Sequence, residues 1–215
     1  MPEQADGASR TDDRPLASAA AARQYDSRWP WYIRESLRHT LGRIELHPGQ
    51  QLLDVGCGTG QLLAAAHERC PEARLAGIDP STNMLDIASR RLSPAIGLMR
   101  ATAEAVPIRS GTVDWLVMTS VLHRVRDPLA ARREWRRLLR PGGTLVLTDW
   151  CEDFLSMRLQ ARWSRLTDRS FRHMYSALEL QALLIAGGLE IVSFDRYKIN
   201  WHWGLMTATA VKRSG

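Results

Sequence analysis

Residues 52–60 read L-L-D-V-G-C-G-T-G, an apolar run and an acid followed by three glycines in five positions. The apolar run reads as a strand that ends at Val55, and Q-L-L-A-A-A-H-E-R-C, directly after the glycines, reads as a helix stopped by Pro71. A glycine-dense turn between a strand and a helix keeps side chains off the backbone, so that something else can lie against it. In an open α/β sheet this strand end borders the crevice where the strand order reverses. A second run, A-R-L-A-G-I-D, ends in Asp79, 19 residues past Gly60. An acid at that spacing is placed to accept hydrogen bonds from ribose hydroxyls. Loop and acid together imply a nucleoside ligand. The order D-x-G-x-G-x-G from Asp54 departs from the dinucleotide order G-x-G-x-x-G, which weakens a pyrophosphate reading.

The remainder repeats the alternation of short strands and helices that belongs to a parallel sheet covered on both faces. Helical P-S-T-N-M-L-D-I-A-S-R-R-L has Ser81 or Thr82 to cap it, and A-I-G-L-M-R-A and T-V-D-W-L-V-M-T-S read as the third and fourth strands. D-P-L-A-A-R-R-E-W-R-R-L-L-R is the next helix, and P-G-G-T-L-V-L-T-D-W turns into a fifth strand. A Ser176–Glu179 capping box opens a helix closed at Gly187 and Gly188, a sixth strand follows, and W-G-L-M-T-A-T-A-V-K is the last. With 215 residues, the chain is expected to form one domain over 23–215 behind a flexible tail at 1–22. No apolar run approaches bilayer length and the N-terminus has no secretory pattern, so a soluble, cytoplasmic protein without a membrane span is expected. Three scattered cysteines fit reduced thiols rather than disulfides or a metal site. The net charge of +6 comes from 27 Arg against 2 Lys, a skew that genomic base composition can produce. Its densest cluster, Arg132, Arg133, Arg136, Arg137 and Arg140, forms a solvated face opposite Trp135, Leu138 and Leu139 without interleaved aromatics, which speaks against a nucleic-acid partner.

Five segments in order make residues 50–150 similar to the class I S-adenosylmethionine-dependent methyltransferases: L-L-D-V-G-C-G-T-G, G-I-D-P-S-T-N-M-L-D-I-A, A-E-A-V-P-I, V-D-W-L-V-M-T-S-V-L-H-R-V-R-D-P and L-L-R-P-G-G-T-L-V-L-T-D. The likeness resumes at Y-S-A-L-E-L-Q-A-L-L-I-A-G-G-L-E-I-V. The resemblance implies a Rossmann-like, seven-stranded, mostly parallel sheet with helices on both faces and an antiparallel last strand. It implies S-adenosyl-L-methionine as cofactor, with Gly56, Gly58 and Gly60 under its methionine and ribose part and Asp54 near its amino group. Asp79 would hold the ribose hydroxyls and Met84 would pack on adenine. Ala103 and Glu104 would edge the adenine rim, and Thr119 and Ser120 would face the sulfonium. Thr102 stands where family members commonly carry Asp, and it accepts the adenine amino hydrogen bond more weakly. Plainer roles exist for three of these: core packing for Met84, loop capping for Asp54 and a helix cap for Asp79.

The implied reaction is methyl transfer to a small organic acceptor by in-line displacement, in which positioning supplies much of the rate. An acceptor hydroxyl or carbon acid would need a base, and His123, just past the fourth strand, is the candidate, with His173 in reserve; a structural histidine in a turn is the alternative. Of 15 aromatic residues, 13 lie before residue 50 or after 149. They mark a cap segment at 23–49 and a lid insertion at 151–175, expected to form an apolar or acid-binding acceptor pocket. Within the lid, Leu155, Leu159, Trp163 and Leu166 share one helical face and Arg158, Arg162, Arg165 and Arg169 another, and either face is available to the interior. T-S-V-L at 119–122 stands where methyltransferases of DNA base amino groups carry a polar-Pro-Pro-aromatic tetrad. Methylation of RNA or protein, and a methyltransferase-like chain that binds nucleosides or a partner without catalysis, are the alternatives.

Overall fold

In the computed structural model, which describes residues 18–213, strand β1 (Gln51–Val55) lies inside the sheet with all but its first residue buried. It pairs in parallel with β2 (Arg74–Asp79) on one side and β4 (Val113–Thr119) on the other. β2 carries β3 (Gly97–Arg100) at the edge, while β4 is followed by β5 (Leu139–Trp150). The two last strands, β6 (Leu189–Lys198) and β7 (Gly204–Lys212), complete the order β3-β2-β1-β4-β5-β7-β6. β7 is antiparallel to both neighbours, as the resemblance implies. The order reverses between β1 and β4, which opens a crevice at their carboxyl ends.

Strand alternation assigns the core to two layers. Leu53, Val55, Leu116 and Met118 face one layer, with Trp135 and Leu138 of α5 (Pro128–Leu138) and Leu180 and Leu184 of α7 (Ala177–Ala186). Leu52 and Val117 face the other, with Leu63 of α3 (Gln61–Arg69), Ala88 of α4 (Thr82–Arg91) and Leu41 of α2 (Pro30–Leu41). The expected starts are built as read: Ser81 accepts from Met84 N–H, and Ser176 and Glu179 form the capping box.

The flanks differ from expectation in two places. Residues 1–17 of the expected tail lie outside the described residues, whereas from Ala19 the chain is already helix α1 (Ala19–Arg28). An alanine run capped by Ser18 favours helix, and Ala22 is buried against Met84 of α4. In the lid, helix α6 (Leu155–Thr167) buries neither the leucine–tryptophan face nor the arginine face. It turns Met157, Ala161 and Ser164 inward, where two small residues let the helix sit closely over Phe171 and Met174.

α1 is strapped across the glycine loop by one ion pair. Arg91 Nη2 donates to Asp26 Oδ2 at 2.5 Å, its Nη1 donates to Thr59 O at 2.7 Å, and Thr59 Oγ1 donates to Asp26 Oδ1 at 2.8 Å. Three elements thus share one half-buried cluster. Arg91→Ala is expected to raise amide hydrogen exchange through Ala19–Arg28 about tenfold or more while lowering global stability by no more than about 1–2 kcal/mol, since a peripheral helix opens locally before the sheet does. Exchange mass spectrometry with a urea titration checks both.

Candidate active site

A cavity of about 1540 Å³ opens at the carboxyl ends of β1, β2, β4 and β5, beneath α1, α2 and α6. It adjoins a recess of about 70 Å³ at Asp54, and Tyr25, Tyr32, Gly56, Gly58, Thr119 and Ser120 wall both spaces. Typical single-ligand sites measure roughly 300–1,000 Å³. This one has room for two molecules side by side.

The glycines of the first loop differ in their reasons. A side chain on Gly56 would strike Val121, and one on Gly60 would strike Leu92, so close packing excludes both. Gly58 is the one open to the cavity: φ is +52° and nothing lies within 4 Å of the place a Cβ would take. Gly60 does not line the cavity; it caps α3 with a left-handed backbone, which corrects its expected place beneath a ligand. Asp79 Oδ2 accepts from Gly58 N–H at 3.0 Å and Oδ1 from Ser81 N–H at 2.8 Å, pinning the loop to β2. Met84, Thr102, Ala103 and Glu104 line the same side of the cavity. Glu104 Oε1 also accepts from Arg126 N–H at 2.8 Å, which fixes that rim.

The comparisons with known proteins bear on this geometry. Residues 53–147 match the family described as a methyltransferase domain. Over these residues the chain is a methyltransferase domain. The chain is 32% identical over 185 residues to an uncharacterized 37.1 kDa protein in transposon TN4556 of Streptomyces fradiae, covering 82% of this chain and 50% of that protein. It is 30% identical over 155 residues to the ubiquinone/menaquinone biosynthesis C-methyltransferase UbiE of Syntrophotalea carbinolica, covering 66% and 62%. The chain thus spans half to less than two thirds of the length of these relatives. Its fold is similar to that of Haemonchus contortus phosphoethanolamine N-methyltransferase 2 in complex with S-adenosyl-L-methionine, with a TM-score of 0.77 at 15% identity over 94% of this chain and 59% of that one.

The methyltransferase domain's residues fit that cofactor. Asp54 is buried in the recess and has no hydrogen-bond partner among the described residues, a setting that calls for a bound cation. Burial first, and then the charge of Asp79, push its carboxyl up to about 8. Burial raises Asp79 as well, against the two backbone N–H groups that favour its ionised form. Its oxygens keep lone pairs for further donors.

On the opposite wall, His123 lies in a 3-10 turn (Leu122–Arg124) after β4 and is 2% exposed. Its Nδ1 is 2.7 Å from Asp149 Oδ1, its ring stacks on Trp150 at 4.1 Å, and its buried Nε2 has no hydrogen-bond partner among the described residues. Asp149 also accepts from Trp150 N–H at 2.6 Å and His123 N–H at 3.2 Å. Sequence reasoning missed Asp149; its signal was an acid at the end of an otherwise apolar strand, one residue past Thr148, which the register pairs with Thr119. His173 does not line the cavity. Its Nε2 lies 3.4 Å from Glu179 Oε1 on the lid's far side, so the reserve candidate is set aside. Of the flanking aromatics, Tyr25, Trp29, Tyr32, Trp150, Trp163 and Trp203 line the cavity. Phe154 and Phe171 lie behind them in the small core under α6.

The raised Asp54 carboxyl has a consequence for stability. Between its ordinary 3.8 and about 8, Asp54 is protonated in the folded chain and ionised in the unfolded one. Folding stability is therefore fully present below the lower value and falls as pH rises through the upper one. Asp54→Asn carries no such charge, so in the cofactor-free protein its stability advantage over wild type should grow by about 1 kcal/mol per pH unit across that window. Urea unfolding of both proteins over the range checks this.

Proposed function

We propose that the chain transfers the methyl group of S-adenosylmethionine to a small organic acceptor in the cavity, with His123 as the base that takes the acceptor's proton. The observation that carries this reading is His123, a residue of the cavity wall whose Nδ1 is committed to Asp149 and whose buried Nε2 has no hydrogen-bond partner among the described residues. A buried polar nitrogen without a partner is costly unless the site later supplies one. Asp149, taking Nδ1–H, leaves Nε2 with its lone pair available, the tautomer a base needs.

The cofactor site lies across the cavity. Asp54 would hold the cofactor's ammonium group and Asp79 the ribose hydroxyls, and Met84, Thr102, Ala103 and Glu104 would surround the adenine. Thr119 and Ser120, between the two walls, border the sulfonium. When bound, the cofactor supplies an electrophilic methyl carbon, to which the acceptor's electron pair bonds as the carbon–sulfur bond breaks. The acceptor's hydroxyl or carbon-acid proton passes to His123 Nε2, and the resulting imidazolium is held by the Asp149 carboxylate. Trp150, stacked on the imidazole, fixes its plane and keeps water from it. The apolar walls of Trp29, Trp163 and Trp203 favour an acceptor with an apolar body.

The test is a screen of hydroxyl and carbon-acid metabolites for release of S-adenosylhomocysteine, followed by variants on the acceptor found. His123→Gln should lower turnover by about 10²–10⁴ with cofactor affinity preserved, and should remove the fall in rate toward acid pH that protonation of the base causes. Asp149→Asn should lower turnover in the same direction. Asp79→Ala should instead weaken cofactor binding by about 1.5–3 kcal/mol in calorimetry. Equal rates and identical pH profiles for wild type and His123→Gln would leave positioning alone as the mechanism.

A further inference from the structure

Helix α6 leaves Leu155, Leu159, Trp163 and Leu166 at 72%, 59%, 64% and 84% exposure, a continuous apolar stripe whose one edge, Trp163, borders the cavity mouth. Large apolar side chains scattered singly on a surface need no explanation, whereas four in register on one helix mark a contact surface. Beside the stripe, at the same helical spacing, run Arg158, Arg162 and Arg165, all exposed and none ion-paired among the described residues. The helix has no acid of its own. Of the acids beside it, Asp153 is engaged by Arg196 at 2.7 Å and Asp168 by Arg124 at 3.1 Å. Trp201, 83% exposed in the β6–β7 turn, stands next to the helix, because Ser156 Oγ donates to His202 O at 2.6 Å and His202 Nε2 lies 3.2 Å from Gln160 Oε1.

We propose that α6 docks the chain on the surface of an anionic phospholipid bilayer. The four apolar side chains enter the headgroup boundary, Trp201 sits at headgroup level, and Arg158, Arg162 and Arg165 meet the lipid phosphates. Leucines and tryptophans next to an unpaired arginine row have the composition of a helix that lies in a membrane interface. A second copy of this chain would cover the stripe too, but would bring its own arginine row against the first; the charge favours an anionic partner. No helix among the described residues is long and apolar enough to cross a membrane, so the attachment is to the surface. Gln160, Trp163, Ser164 and Thr167 of the same helix line the cavity, so docking sets the cavity rim against the lipid. Resting on the function proposed above, this makes a bilayer-dissolved molecule the class of acceptor the cavity takes.

Flotation of the full chain with vesicles of mixed phosphatidylglycerol and phosphatidylcholine, and of phosphatidylcholine alone, tests the docking without any methyl transfer. Wild type should bind the anionic vesicles about tenfold or more tighter than the neutral ones, and less tightly as salt is added. Binding should fall about tenfold or more both in Leu155→Glu/Leu159→Glu/Leu166→Glu and in Arg158→Glu/Arg162→Glu/Arg165→Glu, with thermal midpoint and S-adenosylmethionine affinity unchanged. The single Leu166→Glu, at the most exposed of these positions, should show a smaller loss of the same sign, which keeps the test usable should a triple variant fail to fold. Equal binding to both vesicle types, undiminished binding in the leucine variants, or a concentration-dependent dimer that the leucine variants abolish would each overturn the proposal. Absent vesicle binding with intact cofactor affinity would remove the docking and leave methyl transfer standing. Absent cofactor affinity would remove methyl transfer and leave the vesicle result to be read on its own.

Discussion

Two carboxylates held at adjacent strand ends organise the site. β1 and β2 are paired in register, so Asp54 and Asp79 both reach the crevice edge in a place where burial works against charge. Asp79 is tolerated because two backbone N–H groups point at it, and those same bonds hold the glycine loop against β2. Asp54 has no such help. A buried acid at the recess gives a cationic ligand a larger gain than a solvated acid would. The loop geometry, the α1 strap through Thr59 and the recess itself all follow from where these two acids are fixed.

The opposite wall is built on the same principle with the charge compensated. Asp149 is as buried as Asp54, yet it receives hydrogen bonds from His123 and from the backbone of Trp150. The sheet explains the difference. β4 and β5 end side by side, and Ser120 N–H donates to Thr148 O at 2.8 Å, so the chain leaving β4 turns back over the end of β5 and brings His123 onto Asp149. One wall thus keeps a buried carboxyl and the other an imidazole nitrogen, neither with a hydrogen-bond partner among the described residues, beside a cavity large enough for two molecules.

The strand and helix pattern was legible because buried parallel strands read as apolar runs and the helix starts carry their caps; Ser176 with Glu179 is visible without coordinates. The glycine loop was legible as a site, but not as three positions with different jobs, since Val121 and Leu92, the residues that exclude side chains from Gly56 and Gly60, come from distant segments. Asp149 was hidden for a related reason: its meaning depends on a strand neighbour that sequence order does not show. The lid's inward face was left open between the leucine–tryptophan and arginine faces, and the structure buries a third. A helical stripe of leucines and tryptophan ordinarily faces a core, but Met157, Ala161 and Ser164 give the closer approach that the aromatic cluster of Phe171 and Trp203 requires. Periodicity reports that a helix has faces and leaves open which of them the neighbours can accept.

A single hydroxyl ties the cap to the chemistry. Tyr32 of α2 is buried at the cavity wall, its oxygen 2.6 Å from Ser120 Oγ and accepting from Trp150 Nε1 at 2.8 Å. Ser120 holds a left-handed backbone, φ 60°, at the end of β4, a conformation that costs a side-chain-bearing residue energy and persists where neighbours hold it. Trp150 in turn stacks on His123. Were α2 to lift away, Ser120 Oγ and Trp150 Nε1 would lose this shared partner together, and the indole that fixes the imidazole plane would lose its anchor. The seating of α2 and the plane of the His123 ring therefore depend on one set of contacts, those among Tyr32, Ser120 and Trp150.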